Sequence, residues 1–238
     1  MAATQQDTAL KLRQLFDQET WTHTYLLYDE VAKEAVIIDP VKEQLERDLK
    51  VLDELGLTLK YVLETHVHAD HITSADGLRQ KTGAKVAYGA AAAVECADVL
   101  LKDGDTVEFG SFSVKALSTP GHTDGCTSYV SENMAFTGDT LFIRGSGRTD
   151  FQQGSSEALY NSVNDKLFTL PEDTLVYPGH DYKGMWVSTI GEEKKHNPRL
   201  GGGKTLNEFV DIMANLKLAN PKKLDVSVPA NLRCGRSE

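Results

Sequence analysis

The pattern of apolar and polar positions over Lys11–Phe16, Thr22–Tyr28 and Ala35–Asp39 is that of β-strands, short and rich in β-branched and aromatic residues. Turn chemistry at Asp29 and at Asp39-Pro40 separates them. The spacing then changes. Val41–Leu55 carries apolar residues at 41, 45, 49, 52 and 55, the stripe of an amphipathic helix, and Gly56 comes next as its C-cap. Lys60–Leu63 reads as a short strand, Ile72–Lys81 as a helix ending at Gly83, and Lys85–Tyr88 as a strand again. From Asp103 the β pattern resumes: Thr106–Phe109 and Phe112–Ala116 flank Gly110-Ser111 as a hairpin, and Thr127–Val130 and Ala135–Thr137 come after. Ser155–Leu167 reads as a helix, Leu175–Tyr177 as a strand and Leu206–Leu218 as an amphipathic helix. Helices packed outside two sheets would bury both faces of each sheet in four layers. A three-layer α/β arrangement accounts for the same periodicities nearly as well. No repeat, proline-rich linker or charge block divides the chain, so one domain over residues 1–238 is expected.

Composition narrows the function classes. Apolar residues at 40% and charged residues at 25% are globular values and argue against disorder. Lys and Arg number 25 against 35 Asp and Glu, a formal net charge of −10, and no basic run occurs. Nucleic acid is therefore not an expected partner, because phosphate binding needs concentrated basic surface. The apolar runs fall far short of the roughly 18–20 residues of a bilayer span, so no membrane partner is expected either. The opening MAATQQDTALKLRQLFDQ lacks a basic segment leading into an apolar one and carries Asp7 and Asp17, which predicts neither a secretory signal nor a transit peptide. Cys96, Cys126 and Cys234 are odd in number and lack CxxC spacing, which predicts free thiols and a cytoplasmic location.

The chemistry concentrates in four loops, each placed after a predicted strand. They read Thr65-His66-Val67-His68-Ala69-Asp70-His71, Thr119-Pro120-Gly121-His122-Thr123, Phe136-Thr137-Gly138-Asp139-Thr140 and Tyr177-Pro178-Gly179-His180-Asp181. A lone loop histidine is more often a surface or core residue than a ligand. Here five of the seven histidines fall at strand ends, together with two carboxylates in the same local context, and that recurrence predicts a metal site. Seven nitrogen and oxygen ligands without a thiolate suit Zn²⁺, Fe²⁺ or Mn²⁺. With all seven engaged, Asp139 would bridge two metals and activate hydroxide for hydrolysis. With only His66, His122 and Asp139 engaged, the site is a two-histidine, one-carboxylate face with open positions, suited to non-haem Fe(II) and O₂. The ligand types alone leave both open.

THxHxDH, then GHT, TGD and PGHD, resemble the metal signature of the metallo-β-lactamase fold. Within it the chain resembles the persulfide dioxygenases, from about Leu15 to Gly235. The stretches that carry the likeness are Thr65–Thr73, Ala135–Gly154, Tyr177–Tyr182, Asn197–Leu200 and Val228–Gly235. The resemblance implies an α+β fold, an αββα four-layer sandwich. It implies one Fe(II) per chain and oxidation of glutathione persulfide by O₂ and water to sulfite and glutathione. Carried over by position, the iron ligands and catalytic residues are His66, His122 and Asp139. His68, Asp70, His71 and His180 orient the ligands and bound water, and Arg148, Tyr182 and Arg199 bind the glutathione moiety. A homodimer and a separate rhodanese are the protein partners suggested by the same analogy.

Several of these residues also have a purely structural explanation. Arg148 could form a structural pair with Asp150, Arg199 could cap a helix or lie on the surface, and Tyr182 could simply pack. Some animal members of the family carry Cys where this chain has Ser146, so a thiol role there is excluded. Cys126 is expected to pack, and Cys234 to be a free thiol near the terminus. Gly201-Gly202-Gly203-Lys204-Thr205 fails as a phosphate loop, since the glycine required five residues before Gly203 is Pro198. The competing activity is that of glyoxalase II, a two-metal thioester hydrolase, but the stretch after His180 is expected to be too short for that enzyme's helical domain. A non-catalytic metal-binding module is the third class, disfavoured by the complete ligand set.

Overall fold

The computed structural model describes residues 10–218 and 223–236. The leader reading of residues 1–9 lies outside them. One six-stranded sheet has the order β1 (Leu10–Asp17), β2 (Thr22–Asp29), β3 (Glu34–Ile38), β4 (Thr58–Glu64), β5 (Lys85–Gly89), β6 (Val99–Leu101). Its first three strands run antiparallel and β3 to β6 run parallel. The other has the order β12 (Ser188–Thr189), β11 (Leu175–Pro178), β10 (Met134–Gly138), β9 (Thr127–Ser131), β8 (Phe112–Ser118), β7 (Thr106–Phe109). It is antiparallel except between β10 and β11.

Alternation along single strands decides the layer count. Tyr25 and Leu27 of β2, and Val36 and Ile38 of β3, pack against Phe109, Val114, Tyr129 and Phe136 of the second sheet. Their neighbours Leu26 and Ile37 point the other way, onto Leu52 of α1 (Leu45–Leu55) and Leu78 of α2 (Ala75–Thr82). A third cluster lies on the far side of the second sheet. There Val176 meets Leu159 and Val163 of α3 (Ser156–Asp165) and Phe209 and Met213 of α5 (Leu206–Ala214). Both faces of both sheets are thus covered, which gives four layers and excludes the three-layer alternative. Among the described residues no helix is long and apolar enough to cross a membrane.

Local chemistry sets several helix ends where expected, although α1 begins at Leu45 rather than Val41, after a separate 3-10 turn, and α5 ends at Ala214 rather than Leu218. Gly56 and Gly83 end α1 and α2 in the left-handed conformation, Ser155 caps α3, and Thr205 with Glu208 forms a capping box on α5. Helix α2 starts three residues later than the apolar spacing suggests, because Thr73 bridges to Val41 and the Ser74 amide donates to Pro40 O at 3.0 Å. Two further helices have no signature in the apolar spacing. In α4 (Ile190–His196) only Ile190 and Glu193 are buried, so apolar periodicity has nothing to register. In α6 (Leu224–Asn231) Pro229 sits inside the helix and interrupts its pattern.

The expectation of three free thiols is corrected. Cys96 and Cys234, 138 residues apart, form a disulfide, and only Cys126 is free. The pairing arises because the chain after α6 folds back across α2, where the Asp76 amide donates to Cys234 O at 3.0 Å. No local spacing could report such a contact. Cys126 is buried as expected.

Candidate metal centre

The loops after β4, β8, β10 and β11 meet at one edge of the sandwich. Bonds between the sheets fix the meeting point. Thr127 N donates to Thr65 O at 2.8 Å, Tyr129 Oη to Glu64 O at 2.9 Å, His23 N to Gly179 O at 2.9 Å and Tyr25 Oη to Pro178 O at 2.6 Å. Two glycines let the loops close up. Gly138 has φ +48°, and a Cβ there would lie 2.5 Å from Thr65 Oγ1; one on Gly179 would lie 2.6 Å from Asp139 Oδ1.

His66, His122 and Asp139 each place a ligand atom within 4.8 Å of the others'. The edge-on rings of His66 and His122 lie 5.0 Å apart, and His122 Nε2 is 3.6 Å from Asp139 Oδ2. Their tautomers are set by the neighbours. The Thr65 hydroxyl donates its one proton to Asp39 Oδ2 at 2.8 Å, so at 2.9 Å it accepts from His66 Nδ1. His122 Nδ1 lies 2.7 Å from Arg148 O, and a carbonyl can only accept. Both imidazoles therefore carry hydrogen on Nδ1 and keep the Nε2 lone pair, the arrangement in which a second contact orients a metal-binding histidine. Burial, followed by the charge on the neighbouring His68, holds the His66 pKa well below its ordinary value, so the ring stays neutral. Asp139 Oδ1 is buried with no hydrogen-bond partner. Two nitrogens and a carboxylate with an orphaned oxygen, and no thiolate, fit a divalent metal with open positions.

The four other predicted residues form a second layer of contacts. His68 turns Nε2 toward Asp39 Oδ1 at 3.2 Å and Glu64 Oε2 at 3.4 Å and does not join the triad. Burial opposes a charge on His68, but the two carboxylates outweigh it and raise its pKa well above the usual range. His71 Nδ1 is 3.0 Å from Asp70 Oδ2. His180 Nε2 lies 3.5 Å from Asp139 Oδ1 and 3.7 Å from Asp70 Oδ2. Burial works against the Asp70 charge, but His71 and His180 override it and hold its pKa well below the carboxylate range. His68, Asp70 and His180 themselves converge within 4.8 Å, a second place where a cation could sit.

Asp39 and Glu64 belong to this network although sequence reasoning does not find them there. Asp39 has the sequence context of a turn residue, yet it accepts from Thr65 N at 2.7 Å as well as from the Thr65 hydroxyl. Glu64 ends a strand, buried, and accepts from the Thr73 hydroxyl. Neither carries a local pattern; the one available signal is a carboxylate in an otherwise apolar strand end.

The triad opens into a cleft of about 400 Å³ that reaches Arg148, Tyr182 and Arg199, a volume suited to a small-molecule ligand. Arg148 makes the bidentate structural pair with Asp150, at 2.6 and 2.7 Å, and its guanidinium lies 4.4 Å from the Phe151 ring centroid. Arg199 differs. Its Nη1 donates to Ser146 O at 2.6 Å, and no carboxylate among the described residues pairs with it. Burial lowers its pKa without a compensating anion. Tyr182, 60% exposed, stacks on His180 with ring centroids 5.8 Å apart. The Cys126 thiol is pushed up to about 12 by burial, which makes it inert as a nucleophile.

Known proteins share this architecture. Residues 22–180 match the metallo-β-lactamase superfamily. The chain is 50% identical over 226 residues to human "Persulfide dioxygenase ETHE1, mitochondrial", covering 94% of this chain and 88% of that protein. The crystal structure of ETHE1 from Myxococcus xanthus superposes with a TM-score of 0.92 at 53% identity, over 95% of this chain and 100% of that one. A metallo-β-lactamase from Staphylococcus aureus subsp. aureus COL superposes with a TM-score of 0.86 at 24% identity, over 95% of this chain and 73% of that one, a likeness of fold alone.

Proposed function

For a chain that belongs to the metallo-β-lactamase superfamily and, within it, to the persulfide dioxygenases, we propose oxidation of glutathione persulfide by O₂ and water to sulfite and glutathione, at one Fe(II) per chain. His66, His122 and Asp139 would hold the iron, which supplies the O₂ chemistry when bound. The observation that carries this reading is the convergence of those three groups, with both Nε2 lone pairs free, on a cleft that contains an uncompensated guanidinium.

The protein's own groups have separable tasks. Arg199 receives a carboxylate of the tripeptide, since a half-buried guanidinium without an anion is the strongest available attraction for one. Arg148, already neutralised by Asp150, contributes position and a wall rather than free charge. Tyr182 and Phe142, with rings 6.4 Å apart, flank the entrance and shed water from the sulfur end. Thr65 and the Arg148 carbonyl hold the two histidines in the ligand tautomer, and Asp39 fixes Thr65. Holding both reactants at adjacent positions replaces a termolecular encounter with a local one. Atoms balance with no further cosubstrate: the persulfide's outer sulfur takes both oxygens of O₂ and one from water, and the inner sulfur leaves as the glutathione thiol.

The convergence of His68, Asp70 and His180 favours the two-metal hydrolase as the second reading. O₂ uptake separates the two. Anaerobically iron-loaded protein should consume O₂ on addition of glutathione persulfide, form sulfite one for one, and give nothing with glutathione alone. Thioester hydrolysis without O₂ uptake would establish the hydrolase instead.

A further inference from the structure

Asn231, the last residue of α6, is wholly buried. Its Oδ1 accepts from Thr73 N at 2.9 Å, and its Nδ2 donates to His68 O and His71 O, each at 2.8 Å. One amide thus ties together three points of the loop that begins at Thr65 and carries four of the predicted site residues. The bonds are to backbone, so they set where the histidines sit without touching their rings.

The helix that delivers Asn231 has little apolar grip of its own. Val228 packs half-buried against the α1–α2 cluster, but Val226 is 63% exposed, and the fully buried residues are Ser227, Ala230 and Asn231. The segment beyond the helix is held by other means. Cys234 is bonded to Cys96 in the connection between β5 and β6, and its carbonyl accepts from Asp76 N at 3.0 Å. Gly235 (φ +80°) lies against Thr73 O with no space for a side chain, and Arg236 Nε reaches Asp76 Oδ1 at 3.0 Å. The covalent bond therefore sits three residues from the amide that braces the loop.

We propose that Asn231 is a positioning residue for the metal loop and that the Cys96–Cys234 disulfide holds it there, so that reducing this bond loosens the loop and lowers metal retention. The last step rests on the metal reading above; the brace itself does not. Reduction by a dithiol is a two-electron exchange. One thiolate of the reductant attacks the more exposed Cys96 sulfur and Cys234 departs, taking a proton. The second thiolate then displaces Cys96, which also takes a proton, as the reductant closes its own disulfide.

The test uses the full chain purified without reductant. Thiol titration in denaturant should find one thiol per chain; three would overturn the proposal at once. In metal-free protein, hydrogen exchange at the Thr73 and Asp76 amides should be about tenfold faster in Cys96→Ser than in the parent, with the β7–β8 hairpin unchanged. Dithiothreitol should reproduce that change in the parent and add nothing in the variant. Fe(II) loss to a chelator should quicken by about tenfold or more in Cys96→Ser. Asn231→Ala should match it with the disulfide intact, and the double variant should be no worse than Asn231→Ala. Unchanged exchange in Cys96→Ser, or effects of the two substitutions that simply add, would refute the link. A looser loop in a protein that binds no Fe(II) at all would leave the brace standing and sink the iron assignment instead.

Discussion

Replacing Arg199 with alanine removes a positive charge that nothing in the described structure neutralises, and the size of the effect can be worked out from its bonds. The guanidinium donates to Ser146, at 2.6 Å to the carbonyl and 3.4 Å to the hydroxyl, through Nη1, so most of its donors remain for a ligand in the cleft. A charge-assisted hydrogen bond is worth about 1.5–3 kcal/mol, which corresponds to about 10–150-fold in kcat/KM. Ser146 is buried but lines the same cleft, so water entering the space left by the side chain would take over the bond to its carbonyl. The effect should fall on KM, because a substrate carboxylate held there would be bound equally before and during the chemistry at sulfur. Initial rates of O₂ uptake across persulfide concentrations, with iron measured on the same samples, read this out. Arg199→Ala should raise KM by about 10–150-fold, with kcat and iron content close to the parent. Arg199→Lys should fall between, restoring charge but not the planar fork. An unchanged KM, or iron lost together with activity, would refute the role and leave Arg199 with a structural one, through its bond to Ser146 O.

Other substitutions probe separate parts. Arg148→Lys should raise KM less than Arg199→Ala and leave iron intact, because its charge is already spent on Asp150; iron loss would mark it as structural, through the carbonyl that orients His122. His122→Ala and Asp139→Ala should each abolish iron binding and O₂ uptake together, and full activity in either would remove the triad. Cys126 should resist iodoacetamide in the folded protein, since burial pushes its thiol up to about 12; rapid alkylation would contradict that environment. Asp48 supplies a pH prediction away from the metal. Burial raises its pKa to about 6, only partly opposed by Arg47. Ionisation is therefore harder in the folded chain, and stability is lost as pH rises from about 4 through 6, by about 3 kcal/mol. The unfolding free energy of Asp48→Asn relative to the parent should grow by about that amount over the same window, and a flat difference by urea titration would contradict the shift.

What is legible in the sequence depends on range. Ten strands and the helices α1, α3 and α5 can be read from spacing and caps, the helices because their apolar sides face one layer, as with Leu45, Leu49 and Leu52 of α1; the edge strands β6 and β12, three and two residues long, are too short to show a pattern. The metal loops are legible because His66, His122 and Asp139 each come soon after a strand, so sequence context and spatial context coincide. Asp39, Glu64 and Asn231 are not. Each acts on a site loop through contacts made in three dimensions: Asp39 on Thr65, 26 residues along, and Asn231 on Thr73, 158 residues back. The odd cysteine count hides a disulfide for the same reason, since Cys96 and Cys234 meet only once α6 has folded onto α2. Arg148 and Arg199 are given the same task by resemblance, and the structure separates them: Arg148 forms the pair with Asp150 that the sequence offers as its alternative, whereas Arg199 has no carboxylate partner among the described residues.

A single iron held by two histidines and one carboxylate, with His68, Asp70 and His180 left for orientation, is the central claim. Anaerobic titration of metal-free protein with Fe(II), followed by desalting and elemental analysis, tests it most directly. One iron per chain is expected in the parent, unchanged in Asp70→Asn and absent in Asp139→Ala. Two irons per chain, falling to one in Asp70→Asn, would contradict it and make the paired-metal hydrolase the better description.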